Sequence, residues 1–571
     1  MKKLTLLVSL FLLSVLISAF SMEASAQTLS PEQAKRISMH HELPDDAYSP
    51  VIPTKTSPAF TSRSDVFFTT QVNINAFGQN ILGDAANEPS ITVDPVNPDR
   101  MMIGWRQFNT VTNNFRQAGY AYTTDGGLTW TFPGVIDPGI FRSDPVLDCD
   151  AEGNFYYNSL TVDNNGNYSC DVYRILDGGV EWDGGTDAQG GDKQWMEIDK
   201  TNGVGAGNIY SSWTSYYSIC YPGFFTRSTN QGNSYEDCVE VSGNPYWGTL
   251  AVGPDGAVYA VGSGEFGGVI VAKSTTAQNP SAVVSWDSYS DVNLDGEITG
   301  FIDINPQGLL GQAYIGVDHS NGPGQGNIYV VASVQRNSNN DPGDVMFAKS
   351  TNGGQTWSSP KRINTDLGTN KYQWFGTMSV APNGRIDVVW LDNRDAPSGS
   401  YLSSLYYCYS TDEGENWSAN ERLSESFDPH VGWPNQQKMG DYFDMVSDEE
   451  GAHLAWANTL NNEQDVYYGH IIPQVTGIAE AGGLHNLSSL SSYPNPFQDQ
   501  TTISYTLTSA NEVELGVYDV YGKLLRTLVN EKQTAGTYNV VFSAGNLPGG
   551  FYFCRLNVGE ETKTTGVVLI R

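Results

Sequence analysis

The sequence is poor in positive charge. It carries 30 Lys and Arg against 63 Asp and Glu, which gives a formal net charge of −33 at pH 7. A chain of this charge repels polyanions, so nucleic acid and anionic membrane surfaces are excluded as expected partners. The surplus of carboxylates makes the binding of a hard cation such as calcium chemically reasonable, beside the plainer interpretation of a solvated acidic surface.

Cysteine is also scarce, with six residues and no C-x-x-C spacing, so a zinc or iron–sulfur site of that kind is not expected. Cys220 and Cys238 lie almost symmetrically about the turn sequence STNQGNSY. If this turn closes a hairpin, the two thiols face each other on adjacent strands, and we expect a disulfide between them. Cys149 and Cys170 leave a second pairing open.

Long hydrophobic runs are missing after the N-terminus. The first residues combine Lys2-Lys3, an apolar run and Ala24-Ser25-Ala26, which predicts a secretory signal peptide over residues 1–26. No later segment has the length and hydropathy of a membrane span, so no transmembrane segment is expected in the mature chain. The pattern predicts a secreted protein, extracellular or attached to the outer cell surface, with residues 27–64 as an N-terminal linker.

Amphipathic helices are absent from the central region, and short runs of period-2 alternation recur between Gly, Asp and Asn turns. Seven repeated units are visible, and they begin at Glu88, Asp144, Lys193, Trp247, Gly311, Phe375 and Asp441. Units of about 45 residues with four strands are typical of a β-propeller. We therefore predict an all-β propeller over residues 65–472, with seven blades, or six if the degenerate fourth unit is not a blade. The last unit lacks a fourth strand, which the segment from Asp65 to Ala76 is expected to supply.

An octapeptide recurs four times within these units, at Thr123–Trp130, Ser228–Tyr235, Ser350–Trp357 and Ser410–Trp417. Each copy places a small hydroxyl residue two positions before Asp or Asn, then Gly and an aromatic residue. This pattern resembles the Asp box, or BNR repeat, of sialidases and related propellers. The resemblance implies a sialidase-like fold in which the box forms a structural turn on the outer rim.

The C-terminal region has a different composition. A linker rich in Gly, Ser and Leu covers residues 473–491, and residues 492–571 contain YPNPF at Tyr493–Phe497, LPGGFYFCRL and a terminal VVLIR. This set resembles the type A C-terminal sorting domain of the Bacteroidetes type IX secretion system. The resemblance implies a small seven-stranded Ig-like sandwich, contact with that secretion machinery, and removal of the domain on export. An ordinary accessory sandwich that binds sugar or protein is the alternative.

The candidate ligand site follows from the repeats, because the first strand of each blade lines the central channel. Residues at the start of those strands are expected at a channel mouth: Glu88, Asp144, Asp192, Lys193, Trp195, Tyr246, Trp247, Trp374, Phe375, Asp441 and Tyr442. Acids mixed with aromatics suit a carbohydrate. The proposed ligand contacts among them are Glu88, Asp144, Asp192, Trp247, Trp374, Asp441 and Tyr442. The alternative is that these side chains only fill a narrow channel.

Sialidase activity is a separate question. It needs three arginines around a carboxylate, a Tyr activated by a Glu, and an Asp as acid and base. Arg106, Arg142 and Arg394 are the available arginines, and Tyr442 follows Asp441, but the F/Y-R-I-P segment and a Tyr–Glu pairing are missing. We therefore expect a module that binds a glycan or a cell-surface protein. An exo-acting glycoside hydrolase of sialidase type and a structural adhesin are the alternatives.

One further motif suggests a metal. In DVNLDGEITGFID, Asp291, Asn293 and Asp295 occupy the first, third and fifth positions of a calcium loop. Ile302 stands at the twelfth position, and Asp303 follows it. The motif predicts a calcium-stabilised insertion between the fourth and fifth blades, and a plain acidic turn is the alternative.

Overall fold

The computed structural model describes residues 46–50, 53–163, 166–215, 218–265, 267–474, 487–507, 509–518, 523–545, 547–559 and 561–571. These residues contain strands, turns and loops but no helix. The chain divides into two compact units after Gln474. The expected signal peptide at residues 1–26 lies outside the described residues.

The first unit is built from seven antiparallel sheets that follow one another along the chain. From the innermost strand outward, the first sheet consists of Ala85–Val93, Met101–Phe108, Arg116–Thr123 and Thr131–Ile136. The second sheet consists of Ser143–Cys149, Phe155–Val162, Tyr168–Ile175 and Thr186–Asp187. The third sheet consists of Trp195–Ile198, Ile209–Ser212 and Phe225–Ser228. In the third sheet a single bridge between Phe225 and Val239 takes the place of a fourth strand.

The remaining four sheets have the same order. The fourth sheet consists of Leu250–Val252, Val258–Ser263, Val269–Ser274 and Ser288–Val292, and the fifth of Ala313–Val317, Ile328–Arg336, Asp344–Ser350 and Lys361–Arg362. The sixth sheet consists of Gln373–Val380, Ile386–Asp392, Ser404–Ser410 and Glu421–Arg422. The seventh sheet consists of Asp444–Ser447, Ala452–Asn458, Asp465–Ile471, Phe67–Gln71 and Thr61–Arg63. The innermost strands contact one another in turn, and the strand of the seventh sheet contacts that of the first. The unit is a closed seven-bladed propeller, as the repeats predicted.

The N-terminal segment closes the ring. Phe67–Gln71 pairs with Asp465–Ile471 and so completes the last blade, as expected from its sequence. Thr61–Arg63 adds a fifth strand outside it, and Thr56–Pro58 pairs with Gln79–Ile81. The expected linker at 27–64 is therefore corrected, because its last residues belong to the propeller.

An insertion separates the fourth and fifth blades. Gly296–Glu297 pairs with the second strand of the fifth blade, and Gly300–Ile302 forms a hairpin with Asn305–Leu309. The hairpin packs against the segment before the seventh blade. The amide of Asn305 donates to the carbonyl of Gly440 at 2.9 Å. The hairpin is therefore hydrogen-bonded, beside the propeller axis, to the segment that precedes the innermost strand of the seventh blade.

The recurring octapeptides lie between the third and fourth strand positions of blades one, three, five and six. In the first copy, Asp125 accepts hydrogen bonds from Thr123 Oγ1 at 2.8 Å, from Thr129 N at 2.9 Å and from Thr129 Oγ1 at 2.6 Å. In the third copy, Asn352 accepts from Thr356 N at 3.0 Å and donates to Thr356 Oγ1 at 2.8 Å. Asp and Asn serve the same turn because the facing hydroxyl can donate or accept. These contacts give the octapeptide a structural role.

Cys220 and Cys238 form a disulfide with a Cα–Cα distance of 6.0 Å. The expected geometry is corrected, because Cys220 lies in a turn and Cys238 in a loop rather than on adjacent strands. The thiols of Cys149 and Cys170 are free and buried, so the second pairing is not formed.

The C-terminal unit is a seven-stranded sandwich. One sheet has the order Leu487–Tyr493, Gln500–Leu507 and Gly536–Ser543, and the other has the order Leu524–Gln533, Asn511–Tyr518, Gly550–Val558 and Glu561–Leu569. The YPNPF motif is hydrogen-bonded to the last strand. Phe497, 2% exposed, donates its backbone N–H to the carbonyl of Val568 at 2.9 Å, and Val568 N donates to Asn495 Oδ1 at 2.8 Å. The first strand starts at Leu487, before the expected boundary at residue 492.

Candidate functional site on the propeller axis

In every blade, one residue within or just before the first half of the innermost strand has a positive φ. Five of these residues are not glycine, and they are Glu88, Asp144, Lys193, Trp247 and Phe375, with φ between 46° and 58°. The other two blades use Gly311 and Gly440. Register shifts at three of these points mark a bulge. Because the conformation recurs in every blade, it belongs to the architecture, where it turns the chain into the strand beside the axis.

Six charged side chains meet near the start of these strands and form what we call the axial charge cluster, made of Glu88, Arg106, Asp144, Lys193, Lys438 and Asp441. Lys438 Nζ lies 3.3 Å from Glu88 Oε1 and 2.7 Å from Asp441 Oδ2. Lys193 Nζ lies 2.6 Å from the same Asp441 oxygen, and Arg106 Nε lies 3.0 Å from Glu88 Oε2. The cluster thus contains three cationic side chains and three carboxyl groups.

Burial shifts the titration of one member of the cluster, Glu88. Glu88 is fully buried, and this burial raises its pKa to about 8 against the lowering by Arg106 and Lys438. Lys193 donates its backbone N–H to Asp144 Oδ2 at 3.0 Å, so the cluster also ties the second blade to the third.

The expectation of an open mouth here is corrected. The proposed ligand contacts are all buried, with at most 8% exposed: Glu88, Asp144, Asp192, Trp247, Trp374, Asp441 and Tyr442. Leu309 N of the insertion hairpin donates to Asp441 Oδ1 at 2.8 Å, and Trp374 packs on Phe375 with ring centroids 4.5 Å apart. These side chains are enclosed because other segments of the chain cover the strand starts.

An aromatic layer lies below the cluster on the axis. The rings of Tyr314 and Tyr442 each pack edge-on with Trp195, at centroid distances of 5.8 and 5.6 Å. Tyr442 donates its hydroxyl to the carbonyl of Pro145 at 2.8 Å. The layer separates the charge cluster from the other end of the channel.

A cavity of about 290 Å³ lies on the other side of this layer, near the ends of the innermost strands. All seven blades line it, and its lining combines aromatics, acids and one lysine, among them Trp195, Tyr314, Asp148, Glu197, Asp444, Lys200 and Ser447. We call it the axial cavity. The Lys200 side chain is 37% exposed, so solvent reaches the cavity.

Two of the three carboxyl groups in the cavity form hydrogen bonds or ion pairs with other residues of the chain. Asp148 Oδ1 lies 2.6 Å from Lys200 Nζ, and its Oδ2 accepts the N–H of Ile198 at 2.8 Å. Asp444 Oδ2 accepts from Ser90 Oγ at 2.6 Å. Burial raises the pKa of Asp444 to about 6.

Glu197 differs from the other two. No described residue forms a hydrogen bond or an ion pair with its carboxyl group. Its pKa is raised to about 8, because desolvation and the nearby carboxylates of Asp148 and Asp444, which raise it, outweigh the neighbouring Lys200, which lowers it. A carboxyl group of perturbed pKa in a cavity is a candidate functional group.

Sequence reasoning placed acids and aromatics on the axis at the starts of the innermost strands, whereas the axial cavity lies near their ends. Trp195 was among the expected channel residues, whereas Glu197, two positions later on the same face of the strand, was not. The available signal was the alternation itself, since residues i and i+2 of a strand share a face.

The residues considered for sialidase chemistry do not assemble a sialidase site. Arg142 Nη1 lies 2.6 Å from Asp171, Arg394 Nη2 lies 2.6 Å from Asp392, and Arg106 pairs with Glu88. Burial raises the pKa of Tyr442 well above its ordinary value, and Glu88 and Asp144 raise it further. A buried, protonated Tyr is a poor nucleophile.

The residues of the proposed calcium loop extend from the last strand of the fourth blade into the insertion. Asp291 lies on the outer strand of the fourth blade, and Asp303 lies in the hairpin turn. Asp295 is engaged by Arg336 Nη2 at 2.5 Å and by Ser338 Oγ at 2.6 Å, and Asn293 Oδ1 accepts from Asp295 N at 2.9 Å. Among the described residues, no three His, Cys, Asp or Glu side chains are grouped to hold a metal ion. Calcium binding stays a prediction.

Comparison with family models identifies the C-terminal unit. The model for the secretion system C-terminal sorting domain matches residues 491–570, which confirms the resemblance to the type IX sorting domain. The protein is therefore exported by type IX secretion, and it is secreted or held at the cell surface. Among the residues that the structure describes, no helix has the length and hydropathy that a membrane span needs. No curated protein matches the chain.

Several solved structures resemble the chain at low identity. A protein of unknown function from Dyadobacter fermentans DSM 18053 is 12% identical, with 72% of this chain and 99% of that chain covered and a TM-score of 0.40. The Hadza microbial sialidase Hz136 is 11% identical, with 68% and 66% covered and a TM-score of 0.35. PorZ, a surface component of the type IX secretion system of Porphyromonas gingivalis, is 12% identical, with 91% and 75% covered and a TM-score of 0.27. At this identity the likeness concerns the fold alone.

Proposed function

We propose that this protein is a secreted, non-catalytic propeller that binds a glycan through the axial cavity. The observation that supports the proposal most is the combination of Trp195 and Tyr314 with Asp148, Glu197 and Asp444 in one cavity that solvent reaches. Of the two partners expected from the sequence, a glycan is favoured over a protein, because the cavity admits a small group rather than a surface.

The chemistry of the lining suits a sugar. Carboxylates accept hydrogen bonds from hydroxyl groups, and an aromatic side chain offers apolar area to the C–H groups of a sugar ring. Small-molecule sites range from about 300 to 1,000 Å³. At about 290 Å³ the axial cavity fits one terminal sugar unit rather than a long chain segment.

The two alternatives receive less support. An exo-acting hydrolase of sialidase type needs an activated nucleophile and arginines that are free to bind the carboxylate of the substrate. In this chain Tyr442 is buried, and Arg142 and Arg394 form ion pairs with carboxylates of the chain. A purely structural adhesin does not require a solvated cavity with charged walls.

The test is a glycan array of the secreted protein, together with a turnover assay on fluorogenic sialosides and other glycosides. Val380 lines the cavity and is half-buried, so Val380→Phe fills the cavity without changing the charge. Val96, which is 68% exposed, provides the matched control Val96→Phe. Melting temperatures show whether both variants fold.

We expect array binding without turnover, lost in Val380→Phe and kept in Val96→Phe. Turnover by the wild type would favour the hydrolase. If a folded Val380→Phe variant still binds, or if the wild type binds no glycan on the array, binding at the axial cavity is refuted.

A further inference from the structure

The axial cavity carries an excess of negative charge. Three carboxylates line it, and Lys200 is the sole Lys or Arg among its described lining residues. Lys200 is already paired with Asp148 at 2.6 Å, so its charge is largely neutralised there. Glu197 and Asp444 are left without a cation of the chain within ion-pair distance among the described residues. The electrostatics of the cavity therefore favour a positively charged ligand group.

Glu197 is the carboxyl group best placed to meet such a ligand. Asp444 already accepts from Ser90 Oγ, from Ile91 N at 3.1 Å and from Met445 N at 2.9 Å, so most of its acceptor capacity is used. The carboxyl group of Glu197 makes no hydrogen bond to a described residue. A carboxylate held in a protein-walled space is unfavourable unless it is paired, and a bound ammonium group would pair it.

Ser447 gives an independent indication of a ligand. Its side chain lines the cavity and is 7% exposed, yet its Oγ has no hydrogen-bond partner among the described residues. Its backbone N–H, in contrast, donates to Ser379 Oγ at 2.9 Å. A buried hydroxyl without a partner is costly, and a polar ligand group in the cavity would satisfy it.

The aromatic side chains of the lining add to the same preference. Trp195 and Glu197 lie two residues apart on one strand, so their side chains share a face. The ring of Tyr314 packs edge-on with Trp195. Aromatic faces attract ammonium groups, by about 0.5–2 kcal/mol where the cation is near the ring.

We infer that the ligand of the axial cavity carries a protonated amine, which Glu197 and Ser447 hold, and that the glycan is one with an unacetylated amino sugar. This inference rests on the proposed glycan-binding function. An ammonium group supplies three donors, for which Glu197 and the Ser447 hydroxyl are acceptors, and Asp444 contributes negative charge. A neutral sugar would leave Glu197 unpaired.

The experiment is calorimetry of the secreted protein with a glucosamine oligosaccharide and with its N-acetylated counterpart, at neutral pH and physiological salt. We expect one site per chain and at least tenfold tighter binding of the free amine. Glu197→Gln should remove this preference, and Ser447→Ala should weaken it. Glu425, whose side chain is 93% exposed, provides the control Glu425→Gln, which makes the same carboxyl-to-amide replacement outside the cavity and should bind as the wild type does.

The control matters because an acidic chain attracts cations without specificity. Equal affinity for the two oligosaccharides would overturn the inference and leave glycan binding intact. Equal loss in Glu197→Gln and Glu425→Gln would show non-specific attraction and overturn it as well. Absence of binding to both sugars would also overturn it, and the glycan array then decides the proposed function separately.

Discussion

At the level of single residues, the axial charge cluster shows how the propeller tolerates buried charge. Glu88, Lys438 and Asp441 share short ion pairs, so each charge is compensated although each side chain is buried. Removing one partner of such a network leaves another charge buried alone, and this costs more than the network contributes when it is intact. The residues of the cluster therefore depend on one another.

Replacing Lys438 by Met tests this dependence. The change leaves Glu88 and Asp441 with one cation fewer, and we expect a loss of about 3–5 kcal/mol in the free energy of unfolding. The exposed Lys55 gives the control Lys55→Met, which should change stability by less than about 0.5 kcal/mol. Denaturant unfolding measures both. A Lys438→Met variant as stable as the control would show that the cluster is not a coupled network.

The ionisation of Glu197 gives a second prediction at this scale. Its pKa is about 8 in the folded chain, above the ordinary 4.5, so between these values the folded state holds more protons than the unfolded state. Its contribution to stability therefore falls as pH rises through that window. In Glu197→Gln the drop in melting temperature from about pH 5 to about pH 8 should be smaller than in the wild type. An unchanged pH dependence would contradict the raised pKa.

The limits of sequence reasoning are clearest for these residues. The repeat places Glu88, Asp144 and Asp441 near the innermost strands, and the structure has all three within or next to those strands. Their burial was not predictable, because the covering groups come from distant segments, such as Leu309 of the insertion hairpin. Likewise, nothing local in the sequence indicates that Glu197 lacks a partner.

At the level of elements, the octapeptide turns repeat one hydrogen-bond pattern with different residues. Asp125 accepts from the Thr129 hydroxyl, whereas Asn352 donates to the Thr356 hydroxyl. The sequence pattern predicted this role well, because the contacts lie within eight residues and depend little on the rest of the fold.

The first turn provides a matched pair of substitutions. Asp125→Asn reproduces the Asn–Thr arrangement of the third copy and should change the free energy of unfolding by less than about 0.5 kcal/mol. Asp125→Ala removes the acceptor of Thr129 N and should cost about 1–3 kcal/mol. Thermal unfolding distinguishes them. Equal losses for the two variants would mean that the charge, and not the hydrogen-bond pattern, maintains the turn.

The disulfide in the third blade is a second elemental feature. Cys220 and Cys238 are separated by 18 residues, and the bridge restricts a segment where the blade has no regular fourth strand. Replacing both by Ser should lower stability by about 2–4 kcal/mol. Non-reducing peptide mapping of the secreted protein should find the linked peptides. Two free thiols in that protein would rule out the bridge.

At the level of the whole molecule, ring closure determines where the axis can bind anything. The N-terminal strand Phe67–Gln71 completes the last blade, and the seven innermost strands then run side by side around one axis. This architecture followed from the sequence because each blade repeats the same strand and turn signals. Which end of the axis stays accessible depends on the insertion hairpin and on the segment before the seventh blade, whose packing leaves no repeated signal in the sequence.

The central claim is that the axial cavity is the ligand site, and a crystal structure of the secreted protein with the strongest glycan from the array tests it most directly. The account predicts electron density for a sugar unit between Trp195, Glu197 and Ser447, at the ends of the innermost strands. Density at the opposite end, with Glu88 and Asp144 in contact with the sugar, would contradict it.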